Sequence, residues 1–84
     1  MKICVRTYGL FGELLKKSVP QKVVLERTSP VTIREILEEL GICGEDLLFV
    51  AVMINGVFAK KAEVDLPIEG ESIEVALYPL FAGG

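Results

Sequence analysis

The 84-residue chain is 51% hydrophobic and carries nine Lys and Arg against twelve Asp and Glu, a formal charge of −3. A chain this short makes one domain with one thin core, has little room for an internal active-site cleft, and at this apolar content exposes a patch for a partner. It contains no histidine, which excludes Ser-His-Asp and Cys-His catalysis and most zinc sites.

Lys2 to Tyr8 alternates, with Ile3 and Val5 on one face and Lys2, Cys4 and Arg6 on the other, which predicts a strand. Gly9 and Gly12 punctuate the next stretch, and Glu13 to Lys17 offers a short helix. Gln21 to Arg27 reads as a second strand, with Val23 and Leu25 on one face. Thr32 and Glu35 then form a capping box, each side chain satisfying an otherwise orphan backbone N–H. Ile33, Ile36, Leu37 and Leu40 recur at helical spacing as one apolar stripe, and Gly41 follows as the left-handed residue that ends a helix.

Phe49 to Ile54 is β-rich and apolar on both faces, and Asn55-Gly56 supplies the positive φ angles of a two-residue type I′ hairpin. Val57 to Lys60 returns as a short strand. Glu69-Gly70-Glu71 marks a turn, and Ser72 to Tyr78 alternates again with Ile73, Val75 and Leu77 inward. The predicted order is ββαβββ, an α+β fold with the helix packed on one sheet face.

The other face meets water or a partner. If Ile73, Val75 and Leu77 pack on the helix, Glu74, Ala76 and Tyr78 point outward. If Val50, Val52 and Ile54 do the same, the hairpin pairs Met53 with Phe58, both outward. Tyr8, Met53, Phe58 and Tyr78 therefore share the outer face, too apolar to stay bare. The competing reading puts these residues in the core, with one strand out of phase.

Other features carry less. The longest basic runs are Lys16-Lys17 and Lys60-Lys61, short of the basic stripe that nucleic-acid binding needs, so no nucleic-acid partner is expected. The longest apolar run, Leu47 to Ile54, is far below the ~20 residues that span a bilayer, so no membrane partner is expected either. Cys4 and Cys43 lie far apart without a C-x-x-C, which points to a reducing, cytoplasmic compartment and to filler rather than relay roles. Gly9 to Gly12 spells G-x-x-G without the basic surroundings of a nucleic-acid clamp. Glu38, Glu39, Glu45 and Asp46, like Lys60 and Lys61, read as solvated faces, and no metal site is expected.

The chain ends Tyr78-Pro79-Leu80-Phe81-Ala82-Gly83-Gly84. Proline cannot donate to a ladder, so Pro79 is expected to end the last strand and release a flexible tail over 80–84 from a domain over 1–79. Five residues reach about 17 Å when extended. Glycines lack Cβ, so Gly83 and Gly84 can thread a narrow channel and carry a terminal carboxylate to chemistry in another protein.

With its ββαβββ order and Gly83-Gly84 end, the sequence resembles the ubiquitin-like β-grasp sulfur carriers, and within them the small subunit of molybdopterin synthase. The resemblance rests on Val5 to Leu14, on the helix Thr32 to Leu40, on Ile54-Asn55-Gly56, and on Glu69 to Pro79. It implies a mixed sheet with one main helix, and a chain that is not catalytic alone and binds no cofactor. An E1-like adenylating enzyme would use ATP to convert the Gly84 carboxylate to an acyl adenylate, and a persulfide sulfur would then give a thiocarboxylate. The tail, Pro79, Leu80, Phe81 and Ala82 leading to Gly83-Gly84, would insert into the synthase large subunit, which builds the metal-binding dithiolene. Docking in such proteins uses an apolar sheet face, at positions corresponding here to Tyr8, Phe58 and Tyr78. Synthase small subunits usually carry Pro-Pro-Val where this chain has Pro79-Leu80-Phe81, so Phe81 asks for a wider channel. A thiamin-type sulfur carrier, a modifier conjugated to lysines through Gly84, and a plain binding module remain the alternatives.

Overall fold

The computed structural model describes residues 1–9, 15 and 18–80. Among the described residues seven strands and the main helix follow in order: β1 (Lys2–Thr7), β2 (Lys22–Glu26), β3 (Val31–Thr32), α1 (Ile33–Glu39), β4 (Val50–Ile54), β5 (Val57–Phe58), β6 (Pro67–Ile68) and β7 (Ser72–Pro79). The main sheet runs β2-β1-β7-β4-β5, while β3 and β6 form a separate two-stranded pair. β1 and β7 are parallel and every other pairing is antiparallel, so the sheet is mixed.

Alternation along the strands decides which face is buried. Ile3 and Val5 of β1, Val50 and Val52 of β4, and Ile73, Val75 and Leu77 of β7 all point to one side and are buried. Against them lies the α1 stripe of Ile33, Ile36, Leu37 and Leu40, equally buried. Fully burying one such side chain contributes about 1.5–3 kcal/mol, so this interface is the main source of stability. The architecture is the α+β β-grasp arrangement that the alternation and the helix stripe predict.

The helix ends match their chemistry. The Glu35 N–H donates to Thr32 Oγ1 at 3.2 Å, one half of the predicted capping box. The other half differs, because the Glu35 carboxylate accepts from the Thr32 hydroxyl at 3.2 Å rather than from its backbone. At the far end Gly41 has φ 84. Gly41 N–H bonds to Glu38 O at 3.0 Å and Ile42 N–H to Leu37 O at 2.9 Å, the paired bonds of a Schellman motif. Ile42, fully buried, supplies its hydrophobic contact.

Two expectations need correction. The return strand after the hairpin spans only Val57–Phe58, not through Lys60. There the Lys60 N–H donates to Glu63 Oε1 at 2.7 Å and opens a 3-10 turn over Lys61–Glu63. β3 and β6, two residues each, were not predicted, nor was the 3-10 helix over Gly44–Phe49. As expected, β7 ends at Pro79. The donor it lacks is the next that a parallel ladder to β1 would use after Tyr8 N–H to Leu77 O at 2.9 Å, and β1 ends at Thr7. On the β4 side Val50 still pairs with Pro79, and Leu80 N–H donates to Phe49 O at 2.7 Å. The predicted helix over 13–17 lies outside the described residues except for Leu15, which is buried in the core.

Candidate functional site

The outer face of the sheet collects the side chains whose parity opposes the core. The Asn55-Gly56 turn has φ 49 and φ 84, the left-handed pair that a type I′ hairpin requires. It sets Met53 directly opposite Phe58, and β7 places Ala76 beside Met53 and Tyr78 beside Ala51. On the other flank the parallel register brings Tyr8 alongside Tyr78.

Aromatic contacts bind this row together. The Tyr8 and Tyr78 rings stack with centroids 5.0 Å apart and planes 12° apart. Phe58 meets Tyr78 at 6.3 Å and 55°, although β4 lies between their strands. Two strand spacings are about 9.6 Å, so the rings lean toward each other across β4. Phe58 is 62% exposed and Tyr8 43%, while Met53 and Tyr78 are half-buried. Tyr8, Met53, Phe58 and Tyr78 are therefore the outer-face group that parity predicted, and the out-of-phase alternative does not apply.

The face is not purely apolar. A groove of about 380 Å³ runs beside the rings, lined among others by Cys4, Arg6, Met53 and Glu74. The Cys4 sulfur and the Tyr8 hydroxyl hold the Arg6 guanidinium protonated beyond its already high ordinary value. On the neighbouring strand, one same-face register step from Arg6, the Glu74 N–H donates to Asn55 Oδ1 at 2.8 Å, tying the hairpin to β7. One cation and one carboxylate thus line the groove together beside the rings. Alternation had placed Arg6 and Glu74 on this side, yet polarity alone gave no reason to count them in the site.

Two further residues that sequence reasoning missed stand at the end of β7. Gly9 has φ +79, and a Cβ placed there would meet Pro79 Cγ at 2.7 Å and Cδ at 2.9 Å. Only glycine admits both that conformation and that approach. Leu48, 57% exposed, precedes Phe49, whose carbonyl holds Leu80, itself 46% exposed. Pro79 and Leu80 thus stand where the aromatic face ends. Phe81, Ala82, Gly83 and Gly84 lie outside the described residues.

Cys4 is half-buried in the groove and Cys43 is exposed, both free. Among the described residues no group of three or more Cys, Asp or Glu side chains is placed to hold a metal ion, and no helix is long and apolar enough to cross a membrane.

The sequence matches no protein-family model and no curated protein. Solved structures do match over the whole chain. SAMP1, the small archaeal modifier protein 1 from Haloferax volcanii, superposes with a TM-score of 0.65 at 18% identity, covering 100% of both chains. A candidate molybdopterin converting factor subunit 1 from Pyrococcus furiosus gives a TM-score of 0.63 at 16% identity, over 95% of this chain and 98% of that one. A complex of subunits 1 and 2 of molybdopterin-converting factor from Helicobacter pylori gives 0.57 at 19% identity, covering 100% of both chains. At 16–19% identity these are likenesses of fold, and the fold is that of ubiquitin-like β-grasp proteins.

Proposed function

We propose that this chain is a cytoplasmic sulfur carrier for molybdopterin synthesis, working through the Gly84 carboxylate. The observation that carries the reading is the aromatic row of Tyr8, Tyr78 and Phe58, centred on Tyr78 of the strand that leads directly into Pro79 and Leu80. A docking surface continuous with a tail ending in Gly83-Gly84 suits a protein that delivers its terminus into another. The fold shared with subunit 1 of the converting factor supports this, and that neighbour's complex with subunit 2 supports a large synthase subunit as partner.

The chemistry follows from the carboxylate's low electrophilicity. An E1-like partner would let the Gly84 carboxylate attack the α-phosphorus of ATP, releasing pyrophosphate and leaving an acyl adenylate. A persulfide sulfur would displace AMP, and a second thiol would cleave the resulting S–S bond, leaving a thiocarboxylate on Gly84 and a disulfide on the donor. No cofactor resides on this chain, since ATP belongs to the activating partner. Its own residues orient and dock. Leu80 N–H on Phe49 O fixes the tail's direction, Gly9 admits Pro79, and the rings dock.

A second reading draws on the likeness to the modifier protein from Haloferax volcanii. The same acyl adenylate, intercepted by a lysine amine, would give an isopeptide bond. A thiamin-type carrier would use the same thiocarboxylate on a different acceptor. Removing Gly84, or extending the chain by one residue, is expected to abolish sulfur transfer without changing the melting temperature. Full transfer by the truncated protein would overturn the reading.

A further inference from the structure

β2 is one edge of the main sheet, and no described strand covers its outer side. Which of its backbone groups face that side follows from the ladder to β1. Thr7 N–H donates to Gln21 O at 3.0 Å and Arg27 N–H to Met1 O at 2.9 Å. In an antiparallel pair the bonded residues alternate, so residues 21, 23, 25 and 27 face β1. Lys22, Val24 and Glu26 therefore turn their N–H and C=O groups outward. Of these, only the Glu26 carbonyl has a partner among the described residues, the Arg27 guanidinium at 2.7 Å, and its second lone pair stays open.

The five residues Lys22-Val23-Val24-Leu25-Glu26 read as a charge-reversed palindrome about Val24. Two-fold pairing of this edge with itself would set Val24 against Val24 of the second copy, and Lys22 against its Glu26 on both sides of the axis. All three are outward-facing pairs, so each would exchange the reciprocal bonds of the ladder. On the inner face Val23 would meet Leu25 of the copy, and both already pack half-buried against the core.

Two further observations favour a copy of this chain as the occupant. Lys22 stands opposite Arg6 in the β1–β2 register, a like-charge pair that destabilises the isolated chain. The copy would bring a carboxylate to the other side of Lys22. Val24, 48% exposed, carries an apolar side chain at the centre of the open edge, where edges are normally blunted by charge, proline or a bulge.

We infer that β2 is a self-pairing edge that joins two copies of this chain into a weak, symmetric dimer with a continuous ten-stranded sheet. The inference is independent of the proposed function, because β2 lies at the opposite edge from Phe58 on β5. Residues directly opposite in a ladder share a face, so the dimer would present both sets of Tyr8, Tyr78 and Phe58 on one side. A contact along one short edge belongs to the transient class of interface.

Charge-complementing variants test this without touching the core. Sedimentation velocity of the full chain, run up to about 1 mM at low salt, should show concentration-dependent dimerisation. Lys22→Glu alone and Glu26→Lys alone should each weaken it about tenfold, because each sets like charges against each other twice in the symmetric pair. An equimolar mixture of the two variants should regain the association as a heterodimer. There the new carboxylate of the first variant meets the new ammonium of the second, and the retained Lys22 of the second meets the retained Glu26 of the first. The Val24 amide resonance should shift with concentration in the unmodified protein. A chain that stays monomeric, or dimerises equally in every variant, or fails to recover in the mixture, would overturn the inference.

Discussion

Phe58→Asp separates docking from folding in one protein. Phe58 is 62% exposed on the two-residue strand β5, and its described ring contact is with Tyr78 at 6.3 Å. Losing an aromatic pair of that kind costs about 0.5–1.5 kcal/mol, and an exposed Asp there carries no burial penalty. The variant should therefore stay folded, with its urea midpoint only slightly lowered. Leu77→Ala is the contrast. Leu77 is fully buried between sheet and helix, and such truncations cost about 2–5 kcal/mol, a large part of a small domain's stability. Binding should reverse the order. An aromatic anchor at the centre of a docking face commonly contributes about 2 kcal/mol or more, so Phe58→Asp should weaken binding to the adenylating enzyme and to the synthase large subunit about thirtyfold. Leu77→Ala, at temperatures where it remains folded, should bind nearly as the unmodified chain does. Urea unfolding beside isothermal titration reads both quantities. A Phe58→Asp protein that unfolds like Leu77→Ala would refute the assignment of strand faces, and one that binds undiminished would refute docking through the rings.

Gly9→Ala should lower stability by about 1–2 kcal/mol, the cost of a Cβ in the left-handed region, and should also slow sulfur transfer by pushing Pro79 and the tail aside. Equal urea midpoints for the variant and the unmodified chain would show that the Gly9–Pro79 approach imposes nothing. The Arg34 guanidinium, bonded to Asp65 at 2.6 and 3.2 Å, holds that carboxyl below its ordinary value. A depressed folded pKa stabilises above the unfolded value of about 3.9 and loses that contribution as pH falls through the folded pKa. Asp65→Asn should thus lie below the unmodified chain in stability at neutral pH and converge with it in acid, measured by urea unfolding across that range. Parallel curves would contradict the pairing.

Much of this architecture could be read from local chemistry. Asn55-Gly56 fixed the hairpin register, and from that pairing Met53 and Phe58 had to share a face. Ile73, Val75 and Leu77 alternate cleanly because one side of β7 is buried and the other is not. Thr32, Gly41 and the α1 stripe marked both helix ends. What escaped was either too short to have a period or decided by distant chain. β3 and β6 hold two residues each, and Pro67 at the start of β6 argues locally against a strand. Lys60 looked like the end of a strand until the Glu63 carboxylate claimed its N–H. The parallel pairing of β1 with β7 joins the two ends of the described chain, which no window of sequence displays. Gly9 could have drawn attention as a glycine directly after a strand, but only the fold supplies Pro79 as the residue it must admit.

The central claim is that the Gly84 carboxylate is the reacting group, and intact-mass analysis of the protein purified from its native cells tests it most directly. The account predicts a population in which one oxygen is replaced by sulfur, with the change confined to the peptide ending in Gly83-Gly84 and lost on treatment with a thiol-alkylating reagent followed by hydrolysis. Conjugates linked through Gly84 to lysines would move the same terminus to the modifier reading. A terminus found only as the free carboxylate, in cells actively making the cofactor, would contradict the account.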